Sequence, residues 1–91
     1  MTPQDFFKND LFAERAGIVL MEVREGYSKA RLEIKKEHLN AGNRTQGGAI
    51  FTLAALALAA AANSHGQLAF SLSSNICLLY TSDAADDSLR V

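Results

Sequence analysis

The sequence predicts an α+β domain in which an antiparallel sheet wraps around one long central helix. The first observation is the segment 49–62, which is apolar at every position except Thr52. A helix that is apolar on all sides is normally buried on all sides. The second observation is the alternation of apolar and charged side chains over residues 28–36, which is typical of a strand with one buried face and one exposed face. A sheet that curves around the helix satisfies both patterns.

The elements that precede the central helix follow from local signals. Pro3 suits the first position of a helix, and we predict one helix over residues 3–16 that ends at Gly17. Apolar and β-branched residues predict a strand over residues 18–25. Gly26 then predicts a tight turn, so that this strand and the alternating segment after it form a hairpin.

The later elements complete the predicted order helix, strand, strand, helix, strand. Residues 37–46 contain turn-forming Asn and Gly residues without a hydrophobic period, which predicts a loop. The central helix is expected over residues 47–64, a length of about 27 Å at about 1.5 Å per residue. Alternation returns over residues 68–76 and predicts a third strand.

Composition excludes several classes of function. The chain has 91 residues, 9 Lys and Arg against 10 Asp and Glu, and a net charge of -1, so we expect no nucleic-acid partner. The apolar segment is shorter than the roughly 20 residues that cross a bilayer, so we expect no membrane span. The first residues lack the pattern of a secretory signal, which predicts a cytoplasmic protein. A domain this small gains much from oligomerisation.

The junction between the loop and the central helix is the candidate for chemistry. Gly47 and Gly48 open the helix, and the free N–H groups and positive dipole end of a helix start can stabilise developing negative charge. Two glycines also allow another molecule to approach closely. The alternative interpretation is that the two glycines only permit a tight turn into the helix.

The order of residues around this junction resembles a known family. His38-Leu39-Asn40, a short loop and then Gln46-Gly47-Gly48-Ala49-Ile50-Phe51-Thr52-Leu53-Ala54 resemble the motif of hotdog-fold acyl-CoA thioesterases, specifically the phenylacetate-pathway (PaaI-like) branch. The resemblance covers residues 1–76, which it identifies as a partial hotdog domain with a truncated C-terminal end. It implies two further strands after Ile76.

The resemblance also implies roles for individual residues. Gly47 would supply the N–H that stabilises the oxyanion, with Gly48 beside it at the substrate, and Asn40 would orient the substrate or the attacking water. Gln46 would replace the usual His as a residue that positions the loop. Ser71 matches a position that helps to hold the water in some relatives. Asn40 is equally interpretable as a turn residue. For Ser71, the interpretation as a small residue that lines a sheet is preferred.

No metal site and no separate cofactor are expected, because coenzyme A enters as part of the substrate. His38 and His65 do not have the spacing of metal ligands, and we predict that both are loop residues. The resemblance further implies a homodimer or a dimer of dimers with the active sites between subunits. It therefore agrees with the expectation from chain length.

One position departs from the family motif. The family has an acidic residue eight positions after the first glycine, and this chain has Ala55 there. Alanine cannot activate water, and loss of a positioned acid or base removes about 10²- to 10⁴-fold in rate. Two hypotheses follow: an acyl-CoA thioesterase for small or medium acyl or aryl thioesters, or a non-catalytic hotdog module that binds acyl-CoA or another apolar ligand. A purely structural role is a third hypothesis.

The end of the chain differs from the rest. Residues 77–86 resemble the in-frame translation of a transposase sequencing-library adapter, and we predict that residues 77–91 are a non-native tail. The single cysteine, Cys77, lies in this segment. The alternative interpretation is an ordinary frayed terminus. Resequencing of the genomic locus decides between the two, because an uninterrupted native reading frame through these codons would contradict the adapter hypothesis.

Overall fold

A computed structural model describes residues 3–78 and 87–90 of the chain. Its elements, in chain order, are α1 (Pro3–Phe7), α2 (Leu11–Ala16), β1 (Ile18–Arg24), β2 (Tyr27–Leu32), a short 3₁₀ helix (Lys36–His38), α3 (Gly47–Asn63) and β3 (Asp87–Arg90). The three strands form one antiparallel sheet in the order β1, β2, β3. The long helix α3 packs against this sheet.

The N-terminal segment forms two short helices, so the prediction of one helix over residues 3–16 is wrong. The break precedes Asp10, whose carboxylate accepts a hydrogen bond of 3.0 Å from the N–H of Ala13 and so caps α2. Asp is among the best N-cap residues because it satisfies a free N–H at a helix start. The predicted end at Gly17 is confirmed, since Gly17 adopts the left-handed conformation, φ 88°, after the last residue of α2.

The predicted hairpin is present. Its second strand ends at Leu32 and not at residue 36, because Leu32 pairs with Ile18, the first residue of β1, and no residue before Ile18 continues the ladder. The predicted faces of this strand are confirmed: Ala30 and Leu32 are buried, and Arg31 is exposed. A shift in register interrupts the pairing of β1 between Leu20 and Glu22.

The turn of the hairpin is attached to the end of the long helix. Gly26 has a φ of 72°, a conformation that favours glycine, and its N–H donates to Ser64 Oγ at 2.7 Å. His65 Nδ1 lies 3.5 Å from Glu25 Oε1 beside this contact. The hairpin therefore spans the helix α3 and is held at the C-terminal end of α3 as well as along the strands.

Helix α3 matches the predicted range to within one residue, but it is buried on one side only. Ala57 and Ala60 are fully buried, and Ser28 of β2 donates from its hydroxyl to the carbonyl of Ala57 at 2.5 Å. Phe51 and Leu58 on the opposite side are 38% and 42% exposed. The prediction of burial all around the helix is thus wrong, because the sheet covers only the side that faces β1 and β2.

The predicted third strand over residues 68–76 is also wrong. This segment follows the left-handed Gly66 and continues without a strand partner among the described residues, and Phe70 and Leu72 are strongly exposed. A strand requires a neighbour for its backbone groups, and β2 instead pairs with Asp87–Arg90. Ladder hydrogen bonds involve only backbone groups, so this pairing does not test the origin of residues 77–91. The non-native tail stays a prediction.

Candidate active site

The loop before helix α3 is folded back on itself, so that Asn40 and the start of the helix lie at the two ends of one compact turn. Leu39 and Thr45 form an isolated antiparallel bridge. The N–H of Asn40 donates to the carbonyl of Arg44 at 2.7 Å, and the N–H of Gln46 donates to the carbonyl of His38 at 2.7 Å. Backbone hydrogen bonds thus fix the approach of the chain to Gly47.

The side chain of Asn40 organises this loop. Its Oδ1 accepts hydrogen bonds from the N–H groups of Gly42, at 2.9 Å, and Arg44, at 3.1 Å. This is the turn arrangement expected of Asn, in which the side chain replaces a backbone acceptor. The structure therefore shows Asn40 as a turn residue. The Oδ1 atom is committed to the loop, and only the Nδ2 group remains for a substrate or a water molecule.

Two adjacent N–H groups are available at the start of helix α3. Gln46 is the N-cap residue in an extended conformation, its side chain makes no capping hydrogen bond, and its carbonyl accepts from Ala49 and Ile50. The N–H groups of Gly47 and Gly48 have no acceptor within the described part of the chain. Such unpaired donors at a helix start are what an anion or an oxyanion needs.

His38 is a buried residue with a structural role. The sequence predicted only that it lies in a loop. Its Nε2 donates to the carbonyl of Ala16 at 2.6 Å, and its Nδ1 accepts from the N–H of Lys35 at 2.8 Å. Both ring nitrogens are therefore used, and the hydrogen on Nε2 is assigned from these partners. His38 ties the loop to the end of α2. No local pattern indicates this contact, because the two residues are 22 positions apart.

A groove of about 800 Å³ runs along the exposed side of helix α3. Its floor includes Ala55, the position that the resemblance aligns with an acid of the family motif, and its wall is the irregular segment that contains Ser71. The Ser71 hydroxyl lies 2.8 Å from Ser74 Oγ. The lining has no charged side chain; it consists of Phe51, Ala55, Leu58, Ala59, Ala62, Ala69, Phe70, Ser71, Leu72, Ser73 and Ser74.

The predicted site residues fall into two groups. Asn40, Gln46, Gly47 and Gly48 come together at the junction of loop and helix. Ser71 lies apart from them on the wall of the groove. Over residues 3–78 and 87–90, no three His, Cys, Asp or Glu side chains are placed to hold a metal ion. The helices in the described ranges include none that is long and apolar enough to cross a membrane.

An antiparallel sheet packed over one long helix is the architecture of the hotdog fold, and the described part of the chain has this fold. No family model matches the sequence. Two curated proteins match it. "Putative esterase" of Archaeoglobus fulgidus is 49% identical over 70 residues, which are 77% of this chain and 46% of that protein. "Acyl-coenzyme A thioesterase PaaI" of Escherichia coli is 31% identical over 80 residues, which are 88% of this chain and 57% of that protein.

Solved structures give the same result. The E. coli PaaI protein from the phenylacetic acid degradation operon matches with a TM-score of 0.82 at 30% identity, over 94% of this chain and 62% of that one. A conserved protein of Pseudomonas aeruginosa matches with a TM-score of 0.74 at 26% identity, over 87% and 64%. A mutant form of the phenylacetic acid degradation protein PaaI from Thermus thermophilus matches with a TM-score of 0.61 at 29% identity, over 64% of this chain and 50% of that one. The resemblance to PaaI-like hotdog thioesterases is confirmed. The chain spans about half the length of the curated relatives it matches.

Proposed function

We propose that this protein is a thioester hydrolase of the PaaI-like type that acts on acyl-CoA thioesters. The observation that supports this best is the pair of unpaired N–H groups of Gly47 and Gly48 at the start of α3. When water attacks a thioester, the carbonyl oxygen becomes negatively charged, and preorganised donors at that place stabilise the transition state. The name of the E. coli relative supports coenzyme A thioesters as the substrate class.

The other site residues have supporting roles in this proposal. The Nδ2 group of Asn40 orients the attacking water or the substrate, while its Oδ1 keeps the loop in place. Gln46 positions the first turn of the helix through its carbonyl. The groove beside Ala55 receives the acyl group, with Ser71 on its wall. Because the groove has no charged lining, it favours apolar small or medium acyl and aryl groups.

The alternative function is a hotdog module that binds acyl-CoA or another apolar ligand without hydrolysing it. Ala55 favours this alternative, because it lies exposed in the groove and offers no acid or base. Helix α3 contains no Asp or Glu at any other position. A thioesterase with this site would rely on oxyanion stabilisation and positioning, which alone give part of the usual rate enhancement.

The test removes one oxyanion donor without disturbing the helix. Gly47 is the first residue of α3, where proline is well tolerated, and Gln46 has ψ 129°, which suits a residue before proline. Gly47→Pro therefore deletes the N–H and keeps the helix start. We expect about 10²- to 10³-fold lower hydrolysis of acyl-CoA thioesters, measured by release of the free thiol from the full-length protein.

Gly47→Ala is the matched control, because it adds a side chain but keeps the N–H. The enzyme hypothesis requires that Gly47→Ala retains far more activity than Gly47→Pro. Equal activities in folded variants would contradict the role of Gly47. If the unaltered protein binds octanoyl-CoA and releases no thiol, the binding module is the correct function.

We further propose the assembly and location that suit this activity. A homodimer or dimer of dimers would suit a domain of this size, which gains much from oligomerisation. No cofactor is proposed beyond the coenzyme A of the substrate. A cytoplasmic location agrees with coenzyme A thioesters as substrates. Size-exclusion chromatography with light scattering tests the assembly, and a monomer at micromolar concentration would contradict it.

A further inference from the structure

One side chain of α3, Asn63, forms hydrogen bonds to the wall of the groove. Residues 67–78 form no ladder with a strand in the described part of the chain. Asn63, the last residue of α3, accepts from the N–H of Ala69 on its Oδ1 at 2.9 Å and donates from its Nδ2 to the carbonyl of Ala69 at 3.1 Å. Both backbone polar groups of Ala69 are thus paired with one amide.

A third hydrogen bond fixes the orientation of this amide. Its Nδ2 also donates to the carbonyl of Ala59, one turn back in the helix, at 2.8 Å. Both Nδ2 hydrogens and the Oδ1 atom of Asn63 therefore have partners, and a flipped amide would place its NH₂ group against the N–H of Ala69. Among side chains of this length, only Asn supplies an acceptor and two donors together. Asp keeps the acceptor and loses both donors.

We propose that Asn63 is a positioning residue for the site: it holds residues 69–74 as the wall of the groove that receives the acyl group. The inference rests on the proposed function for the nature of the ligand. Asn63 lies eight residues after Ala55, about 12 Å along the helix. It does not touch the reacting atoms and acts through Phe70, Ser71 and Leu72, which follow Ala69 directly and line the groove.

The proposal predicts that the role of Asn63 depends on the length of the acyl group. Phe70 and Leu72 face the groove from the wall, and Leu58 faces it from the helix. In the proposed function the acyl group lies in this groove, where an octanoyl chain contacts more of these side chains than an acetyl group does. Loss of the wall therefore weakens the binding of octanoyl-CoA more than that of acetyl-CoA.

The first measurement is amide hydrogen exchange of the full chain, followed on the segment 67–74. Asn63→Ala removes the acceptor of the Ala69 N–H, and we expect exchange of this segment to become about tenfold faster or more. Asn63→Asp has nearly the same volume but no donors, and its exchange rate should lie between those of the unaltered protein and Asn63→Ala. Gln67→Ala is the matched control, because Gln67 is an exposed amide of the same segment, and it should leave the exchange unchanged.

The second measurement is steady-state kinetics with octanoyl-CoA and acetyl-CoA. In Asn63→Ala we expect KM for octanoyl-CoA to rise about tenfold while kcat changes little, which is the pattern of lost binding to a remote part of the substrate. KM for acetyl-CoA should rise less. Gln67→Ala should resemble the unaltered protein with both substrates.

The outcomes separate this inference from the proposed function. Unchanged exchange in Asn63→Ala overturns it, and so does faster exchange with an unchanged KM for octanoyl-CoA. If the unaltered protein shows no turnover, the proposed enzyme function fails, and the dissociation constant of octanoyl-CoA replaces KM. A weaker affinity in Asn63→Ala, but not in Gln67→Ala, then supports the positioning role, and equal affinities overturn it.

Discussion

The two sides of helix α3 have nearly the same side-chain chemistry and opposite environments. The inner side faces the sheet and is buried at Leu53, Leu56, Ala57, Ala60 and Ala61. The outer side exposes Phe51, Ala55, Leu58 and Ala62. Composition along the helix does not distinguish them. The difference teaches that burial in this domain is decided by where the hairpin lies, and that an apolar helix face without a sheet becomes a groove.

The two sides also differ in how their covering is attached. The hairpin is held by its own ladder, by the Ser28 hydroxyl on the helix and by the contact of Gly26 with Ser64. The wall on the outer side is attached through Asn63 alone among the hydrogen bonds of the described residues between α3 and this segment. Among the described residues, the inner side therefore has more points of attachment than the outer side.

The same substitution on the two sides gives the sharpest test of this difference. Ala57→Asp places a carboxylate at a fully buried position with no partner, and we expect a loss of more than about 4 kcal/mol in the free energy of unfolding. Ala55→Asp places it in the open groove and should change stability by less than about 0.5 kcal/mol. Circular dichroism and urea denaturation measure both, and similar losses would contradict the one-sided burial.

The Ala55→Asp variant makes a second prediction, on activity. It restores an acid at the position that the family motif gives it, so we expect thioester hydrolysis to rise by about 10²-fold or more. Ala62→Asp, on the same exposed side seven residues further on, is the control and should show no gain. If Ala55→Asp is folded and gains nothing, Ala55 does not occupy the position of the family acid.

The sequence predicts the elements whose signals are local. The apolar run and two glycines predict α3, Gly17 predicts the end of the preceding helix, and alternation predicts the buried face of β2 with Ala30 and Leu32. The strand expected over residues 68–76 fails because alternation describes side chains, while a strand also needs a neighbouring backbone. The prediction of one helix over residues 3–16 fails at Asp10, because a capping residue competes with continuation of a helix.

The residues of the site also include some that the sequence identifies and some that only the structure reveals. Gly47 and Gly48 are recognisable because their donors follow from their place at a helix start. His38 and Asn63 are not, because their roles depend on partners that the fold brings to them: Ala16, far along the chain, and Ala69, across the turn after the helix. Residues that hold a loop or a wall in place have no motif of their own, and hydrogen bonds in the folded chain are the observation that reveals them.

Truncation of one leucine on each side of the helix tests the comparison at a smaller scale. Leu53 is 3% exposed and Leu58 is 42% exposed. Leu53→Ala should lower the free energy of unfolding by about 2 to 4 kcal/mol, because it leaves a cavity in the core. Leu58→Ala should lower it by less than about 1 kcal/mol and weaken octanoyl-CoA binding instead. Equal losses in urea denaturation would show that the outer side is also part of the core.

A hydroxyl on each side provides the smallest expected effect. Ser28 is fully buried and donates to the Ala57 carbonyl, whereas Ser71 is exposed and lies 2.8 Å from Ser74. Ser28→Ala should cost about 1 kcal/mol in the free energy of unfolding, since the buried bond is lost while the Ala57 carbonyl stays in place for its helical partner. Ser71→Ala should cost close to nothing, because water replaces an exposed partner. Urea denaturation of both variants decides the matter: if Ser71→Ala is as destabilised as Ser28→Ala, the outer segment contributes to the fold as the hairpin does, and the contrast between the two sides of α3 fails.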